Sequence, residues 1–207
     1  MYGMSWYETQ VVPRLVDLMC VNRRMTPLRE RALEGVAGTV VELGFGSGGN
    51  LPAYPPAVER VMAVDPSSVG RRLARRRLEA SPVDVEFIGL DGAQLQLDDQ
   101  SVDNAVSTWT LCTIPNVVDA VREVRRVLRP GGRLFFLEHG LSPDSKVARS
   151  QQRFNGIQRR LAGGCHLNRD INAVVEGGGL AIERCDNFFI SGPKAWCYMY
   201  AGAAVKA

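Results

Sequence analysis

The glycine-rich stretch VVELGFGSGGN, residues 40–50, constrains the fold of this chain more than any other segment. Two β-branched residues lead into the acidic Glu42, and glycines follow at positions 44, 46, 48 and 49. This pattern is typical of a buried strand that ends in a turn where the backbone must approach a ligand closely. Glycine allows that approach because it has no Cβ. We therefore expect a strand at residues 40–43 that leads into a ligand-binding loop.

Apolar runs and helical patterns alternate along the chain from Thr39 onwards. Further strands are predicted at residues 60–64, 85–90, 104–108 and 133–138, helices at 69–79 and 117–128, and a short helix after the glycine loop. Beyond them we expect helices at Ser145–Leu161 and 170–176, and strands at Ala181–Phe189 and 199–205. This alternation implies right-handed crossovers and a doubly wound, mostly parallel α/β sheet covered by helices on both faces.

The first 38 residues precede the sheet and are predicted to form a helical cap. Tyr7, Val11 and Leu15 recur at helical spacing, and Thr26 with Pro27 suits the cap and first turn of a second helix. Such helices either close over a substrate pocket as a lid or only pad the sheet, and we favour the lid. A chain of 207 residues suits a single domain, with a cap at 1–38, a cofactor-binding core at 39–139, and a helical insert with C-terminal strands at 140–207.

Composition argues against several classes of function. The net charge of +3 is too small to make nucleic acid the expected partner. Five cysteines without a CxxC pair, and only two histidines, indicate neither a disulfide framework nor a zinc site. We therefore expect no metal and a location in the reducing cytoplasm. No apolar run reaches membrane-spanning length, and no signal peptide is recognisable.

Two kinds of cofactor fit the glycine loop. The spacing of positions 44, 46 and 49 satisfies the template for a dinucleotide, and the spacing of 44, 46 and 48 satisfies the one for S-adenosylmethionine (SAM). Asp65 ends the second predicted strand about twenty residues further on, where an acid suits the hydroxyl groups of a ribose. Because Pro66 and Ser67 follow it, Asp65 has an alternative role as the cap of the next helix.

The cofactor is expected beyond the carboxyl ends of the strands, where an open α/β sheet binds its ligands. Glu42 lies close enough to the loop to engage an ammonium group through water or backbone, and SAM has such a group whereas NAD does not. Asp91 can accept a hydrogen bond from an adenine amine, and the next amides can donate to a ring nitrogen. The predicted cofactor-binding residues are Glu42, Gly44, Phe45, Gly46, Ser47, Gly48, Asn50, Asp65, Pro66, Asp91, Gly92, Ala93, Thr108 and Trp109.

A family resemblance rests on VVELGFGSGGN, AVDPS, DGAQLQLDDQSVDNAVST and EVRRVLRPGGRLFFLEH, which follow one another within residues 40–139. In this order they resemble the class I SAM-dependent methyltransferases of the type-11 kind. The resemblance implies a Rossmann-like, seven-stranded sheet, SAM as cofactor and S-adenosylhomocysteine as product. Phe45 stands where the family usually has a small residue or cysteine, which changes packing near the methionine moiety but not the backbone contacts.

A narrower resemblance rests on SVDNAVSTWTLCTIPN, LEHG, GGCHLNRD and YAGAAVK. These motifs are similar to those of the methyltransferase-like seven group, the thiol S-methyltransferases. Members of that group carry an apolar N-terminal membrane anchor that is not recognisable here, so membrane attachment is not carried over and contact with a membrane surface stays open. Bacterial phospholipid N-methyltransferases resemble the pattern as well.

Trp109 and His139 are the predicted catalytic residues. Trp109, after the fourth strand, is either an apolar or cation-stabilising wall or a core aromatic. His139 is a candidate base oriented by Glu138, although neighbouring strand residues face opposite sides. The loop after the fourth strand, which contains Trp109, lacks the Asn-Pro-Pro-Tyr motif of enzymes that methylate nucleic-acid amines. Its absence argues against DNA or RNA as the acceptor.

The predicted substrate pocket consists of Cys112 together with residues of the GCHLNR element, Cys165, His166 and Arg169. Cys112 is expected to be a small buried residue and not a nucleophile. His166 and Asn168 have the alternative role of capping the following helix.

The sequence therefore predicts a SAM-dependent methyltransferase with a small hydrophobic acceptor, a thiol first. A thiol with a pKa of about 8.5 is already a few per cent ionised near neutral pH, so it needs little help from a base. The alternatives are a phosphatidylethanolamine-type N-methyltransferase, a non-catalytic SAM-binding protein and a dinucleotide-dependent oxidoreductase. The last is disfavoured because the chain contains no Tyr-x-x-x-Lys pair. The acceptor, the oligomeric state and the pathway stay open.

Overall fold

The structure is a computed structural model that describes residues 6–207. Its helices are α1 (Val12–Cys20), α2 (Thr26–Ala32), α3 (Ser68–Ala80), α4 (Val117–Val127), α5 (Ser145–Leu161) and α6 (Ile171–Gly177). Its strands are β1 (Gly38–Leu43), β2 (Val58–Val64), β3 (Asp84–Gly89), β4 (Val102–Thr108), β5 (Leu128–His139), β6 (Ala181–Phe189) and β7 (Tyr198–Val205). A π-helical turn at Tyr7–Val11 precedes α1, and a 3₁₀ turn at Leu51–Ala53 follows the glycine loop. Within residues 6–207, no helix is long and apolar enough to cross a membrane.

The strands form one seven-stranded sheet in the order β3-β2-β1-β4-β5-β7-β6. The first five strands pair in parallel, and β7 runs antiparallel to both of its neighbours. The predicted doubly wound, mostly parallel sheet is therefore confirmed. The strand order reverses between β1 and β4, and the carboxyl ends of strands at such a reversal are where open α/β sheets bind ligands.

Helices cover both faces of the centre of the sheet, so the central strands β1 and β4 are buried at consecutive positions rather than at alternate ones. On one face, Val121 and Val124 of α4 and the side chains of α6 pack on Val41 and Phe136. On the other face, Val40 packs with residues of α3 and of the segment that follows α2. Strand β1, which leads into the glycine loop, is buried along its last four residues.

Three local expectations were wrong in detail. The segment after the glycine loop is only a 3₁₀ turn, because Pro55 and Pro56 soon stop helical continuation. Thr26 is the first residue of α2 and not its cap, since Met25 holds the cap position and the Thr26 hydroxyl donates to Asn22 O at 3.4 Å. Strand β5 begins at Leu128, before the expected turn, because the turn itself pairs with the end of β7.

The cap at the N-terminus lies against the glycine loop. Asp17 of α1 accepts a hydrogen bond from Ser47 Oγ at 2.6 Å and pairs with Arg77 of α3 at 3.0 Å. Arg77 also donates to Ser47 O at 2.8 Å, so one ionic contact joins α1, the loop and α3. Pro13 lies in the first turn of α1, as its fixed φ favours.

Candidate cofactor and substrate site

The glycine loop has the backbone shape that its sequence predicted. Gly44, Gly46 and Gly48 have φ values of +69°, +56° and +76°, a left-handed conformation that costs any residue with a Cβ. A Cβ on Gly44 would lie 2.0 Å from Thr110 Oγ1, so this glycine is required by packing. A Cβ on Gly46 would meet nothing closer than Gly44 O at 3.8 Å. Gly46 therefore faces open space at the carboxyl end of β1.

Asp65 lies directly beside that open space. Its carboxylate accepts hydrogen bonds from Gly46 N at 2.7 Å and from Ser67 N at 2.6 Å. Burial raises the pKa of Asp65, and the hydrogen bonds from the two backbone amides oppose that shift. The alternative role as a helix cap is wrong, because Ser67 caps α3 through a hydrogen bond from Gly70 N. Each Asp65 oxygen keeps a lone pair that can accept from a ligand hydroxyl.

Glu42 lies beneath the loop and not on its open side. Its side chain is 1% exposed and accepts hydrogen bonds from Asn50 Nδ2 at 2.8 Å and from the Tyr54 hydroxyl at 2.6 Å. Burial raises the pKa of Glu42 to about 7, against the lowering effect of these two hydrogen bonds. Glu42 thus supports the loop through Asn50, and its second partner, Tyr54, was not predicted from the sequence.

Arg29 of α2 is a buried residue of the site that was not predicted from the sequence. Its side chain is buried and donates to Thr108 Oγ1 at 2.7 Å, to Asn50 Oδ1, and to Cys20 O at 3.1 Å. The guanidinium lies 4.6 Å from the centre of the Trp109 ring. Arg29 therefore fastens the cap to the glycine loop and to the end of β4. No motif marks such a residue, because an arginine in a short amphipathic helix normally faces solvent.

Trp109 occupies a strained position at the end of β4. Its φ of +52° is unusual for a residue other than glycine, and strain of this kind clusters at functional sites. The ring packs against the core cluster that contains Leu137 and Met199. The alternative that Trp109 is a core aromatic is therefore correct in part. Its other neighbour is the Arg29 cation, which is a contact that an aromatic face favours.

Asp91, Gly92 and Ala93 follow β3 at the same edge of the sheet. Asp91 is exposed, and its Oδ1 accepts a hydrogen bond from Ala93 N at 2.9 Å. Its other carboxylate oxygen is available to a ligand amine. Pro66 is exposed beside Asp65, and Phe45 is buried with its ring 5.2 Å from that of Phe87.

Glu138 does not orient His139, so that part of the catalytic hypothesis is wrong. The Glu138 carboxylate is fully buried and accepts from Ser107 Oγ at 2.8 Å. It also accepts from the backbone amides of Thr110, Leu111 and Cys112, at 2.9, 3.0 and 3.4 Å. Neighbouring strand residues face opposite sides, so Glu138 shapes the loop after β4 while His139 points elsewhere.

His139 instead contacts the predicted pocket residue Cys165 and lies close to Cys112. Its Nε2 lies 2.9 Å from Cys165 Sγ, and Cys165 Sγ lies 3.8 Å from Cys112 Sγ. All three side chains are buried, and the His139 Nδ1 atom has no hydrogen-bond partner among the residues that the structure describes. The contact with Cys112, and then burial, raise the pKa of the Cys165 thiol, which is therefore protonated at neutral pH.

His166 and Arg169 hold the loop after β4, which contains Cys112. His166 N donates to Cys112 O at 2.9 Å, and Arg169 Nη1 donates to Ile114 O at 2.9 Å and to Leu111 O. Neither His166 nor Asn168 caps α6, because Asp170 does so through Ala173 N at 3.2 Å. The GCHLNR element thus belongs to the site through backbone contacts that position Cys112.

Comparison with known proteins identifies the family. The profile described as "Methyltransferase domain" matches residues 41–136, which contain the glycine loop and Asp65. A phosphatidylethanolamine N-methyltransferase from Cereibacter sphaeroides is 30% identical over 88% of this chain and 78% of its own length. The chain therefore belongs to the SAM-dependent methyltransferases.

Its relatives differ in the acceptors that their names state. A thiol S-methyltransferase, TMT1B, from Rattus norvegicus is 38% identical over 67% of this chain and 58% of its own length. The chain thus spans about three fifths of that relative. Among solved structures, a geranyl diphosphate methyltransferase in complex with SAM has a TM-score of 0.66, covering 100% of this chain and 93% of that one. At 17% identity, that likeness concerns the fold alone.

Proposed function

We propose that this chain transfers a methyl group from SAM to a small hydrophobic thiol. For the cofactor, the proposal rests on the open face of Gly46 beside the Asp65 carboxylate at the strand-order reversal. For the acceptor, it rests on the 38% identity with a thiol S-methyltransferase. Five free cysteines fit a reducing compartment, and we place the protein in the cytoplasm.

The proposed cofactor contacts follow from the groups at the carboxyl edge of the sheet. Asp65 accepts from the ribose hydroxyls, with Pro66 beside it, and the backbone at positions 44 to 48 approaches the methionine part. Asp91 accepts from the adenine amine, and the amides of Gly92 and Ala93 face a ring nitrogen. Glu42 acts through Asn50, whose position it fixes, because both of its oxygens already accept hydrogen bonds within the chain.

The chemistry requires little from the protein beyond positioning. SAM supplies a methyl group that is already activated on a sulfonium, so transfer to a thiol is an in-line displacement. Alignment of the reacting atoms is worth roughly 7–11 kcal/mol at best. Trp109 forms an apolar wall with Thr108 behind it, and His139 lies next to the acceptor sulfur with Cys112 and Cys165. Trp109 and His139 are thus the proposed catalytic residues.

A second candidate function is N-methylation of a phosphatidylethanolamine-type lipid. The bacterial enzyme of that name covers more of this chain than the thiol enzymes do. In addition, α1 exposes Leu18 and Met19, at 71% and 69%, and α5 exposes Ile157 and Leu161, at 59% and 56%. An apolar surface of this kind suits contact with lipid.

Two measurements test the proposed function. Calorimetric titration should show one site for S-adenosylhomocysteine and none for NAD or NADP; tight dinucleotide binding would contradict the cofactor assignment. A panel of thiols, phenols, amines and phosphatidylethanolamine vesicles with labelled SAM should then show thiols as the best acceptors. Label in the vesicles together with co-sedimentation would favour the lipid function, and label in no acceptor would indicate a non-catalytic SAM-binding protein.

A further inference from the structure

The fold brings two cysteines and one histidine together, although no sequence motif predicts such a cluster. Cys112 follows β4, His139 ends β5, and Cys165 lies between α5 and α6. One ligand atom from each residue lies within 4.8 Å of the other two, and the exposed fractions are 1%, 8% and 7%. Two sulfurs and an imidazole nitrogen are the donors that zinc prefers.

The spacing of the two sulfurs matches a zinc site. With Zn–S bonds of about 2.3 Å and a tetrahedral angle, two thiolates on one ion lie ~3.8 Å apart. The Cys112 and Cys165 sulfurs are 3.8 Å apart. The distance from Cys165 Sγ to His139 Nε2 is 2.9 Å, so a bound ion would widen this edge to ~3.6 Å. A disulfide needs ~2.05 Å, which requires a much larger approach of the sulfurs.

The His139 ring offers one of its two nitrogens to the cluster. Its Nε2 lies 2.9 Å from Cys165 Sγ, whereas the buried Nδ1 points to the other side of the ring and has no hydrogen-bond partner among residues 6–207. Nε2 is therefore the atom that can bind an ion together with the two sulfurs, because one ion cannot reach both ring nitrogens.

Charge at the site also suits a divalent cation. Two thiolates neutralise a doubly charged ion, so the three-residue site is neutral when loaded. Arg169 reaches the same loop through Leu111 O and Ile114 O, and its guanidinium supplies a positive charge for one further anionic ligand. The Glu138 carboxylate accepts a hydrogen bond from Cys112 N and so fixes the position of Cys112, one of the three residues of the cluster.

We propose that Cys112, His139 and Cys165 bind one zinc ion whose fourth position takes the acceptor thiol as a thiolate. Two cysteines and one histidine with an open position are an established catalytic zinc set, and a thiol that coordinates zinc is deprotonated. The acceptor releases its proton to solvent on binding. Its sulfur lone pair then forms the new S–C bond, while the electron pair of the old bond leaves with S-adenosylhomocysteine. This inference rests on the proposed thiol methylation and deepens it.

Metal content tests the site itself. The protein, reduced with a phosphine, is exposed to zinc, desalted and analysed for bound metal, with one zinc per chain expected. Cys112→Ala and Cys165→Ala should each lose most of it. Cys197→Ala should keep it, because Cys197 is as buried as Cys165, at 7%, but lies outside the cluster. Absence of zinc from the unmodified protein, or full retention by both cluster variants, would overturn the proposal.

Cobalt tests the open position without relying on methyl transfer or on the folding of a variant. The cobalt-loaded protein should show thiolate charge-transfer absorption that rises by about half when an acceptor thiol adds a third sulfur to the two present, since each thiolate deprotonates on the metal. A spectrum that does not respond to the thiol would overturn the open position.

Chelation separates this inference from the proposed function. Removal of zinc should slow thiol methylation near neutral pH by up to about 30-fold, the gain from full ionisation of a thiol with pKa about 8.5. If the metal-free protein methylates thiols at the full rate, the zinc role fails and the proposed function stands. If zinc and cobalt behave as expected but no thioether forms in either state, the proposed function fails while the metal site stands.

Discussion

Replacing Gly46 by alanine separates backbone strain from contact with a ligand. Gly46 and Gly131 both have positive φ, +56° and +76°, and neither has a protein atom close to the position of a new Cβ. They differ in location, because Gly46 faces the open space beside Asp65 whereas Gly131 lies at the amino-terminal side of β5. Gly131→Ala is therefore a matched control for strain.

The expected magnitudes follow from this geometry. Both substitutions should cost about 1–2 kcal/mol of stability, because alanine is strained in the left-handed region. For a chain of this size that lowers the melting temperature by roughly 2–8 °C. Only Gly46→Ala should place a methyl group against the cofactor. An overpacked contact of about 1–3 kcal/mol weakens binding by roughly 5- to 150-fold.

The assay is calorimetric titration with S-adenosylhomocysteine at a temperature where both variants are fully folded, as circular dichroism reports. Gly131→Ala should bind like the unmodified protein, and Gly46→Ala should bind more weakly by the stated factor. Equal affinities in the two variants would refute the claim that the cofactor approaches the backbone at this position.

Three further substitutions test the buried polar groups, and a fourth serves as an exposed control. Asp65→Asn should weaken S-adenosylhomocysteine binding by about 1.5–3 kcal/mol, the worth of hydrogen bonds to a charged group, and an unchanged Kd would argue against a ribose contact. Because burial raises the pKa of Glu42 to about 7 from 4.5, the folded state holds this proton more tightly. Stability should therefore fall by about 3 kcal/mol as pH rises from 4.5 through 7, and Glu42→Gln should flatten that part of the profile in urea unfolding. If the stability of Glu42→Gln and of the unmodified protein fell in parallel with pH, the raised pKa of Glu42 would be contradicted. Arg29→Ala should cost about 1–3 kcal/mol, because it removes a hydrogen-bond donor from the buried side chains of Thr108 and Asn50. Arg31→Ala on the same helix, which breaks an exposed pair with Asp186, should cost less than about 1 kcal/mol in the same unfolding assay.

The fold was predictable because each strand and crossover has a local signature. Apolar runs and glycine turns indicated all seven strands, and Asp65 was expected at the end of β2 where it lies. The start of β5 was harder to predict, because a Pro-Gly-Gly sequence is typical of a turn. Only its pairing with the end of β7 makes it part of the strand.

The site was predictable only where contacts are local in sequence. Arg29 contacts Thr108 across 79 positions, and nothing in the short helix around it indicates that this arginine is buried. Cys112, His139 and Cys165 were each noted, but their spacing fits no metal motif, and the three meet only through the order of the strands. Glu138 was assigned to the wrong partner because it lies next to His139 in sequence, whereas its hydrogen bonds are to the loop after β4.

The identity of the methylated product tests thiol methylation most directly. The protein is incubated with SAM that carries a deuterated methyl group, a small hydrophobic thiol and phosphatidylethanolamine vesicles in one mixture, and the products are analysed by mass spectrometry. We expect a deuterated methyl thioether, formed in equal amount to S-adenosylhomocysteine. Deuterated methyl on the lipid amine, with the thiol unchanged, would contradict it.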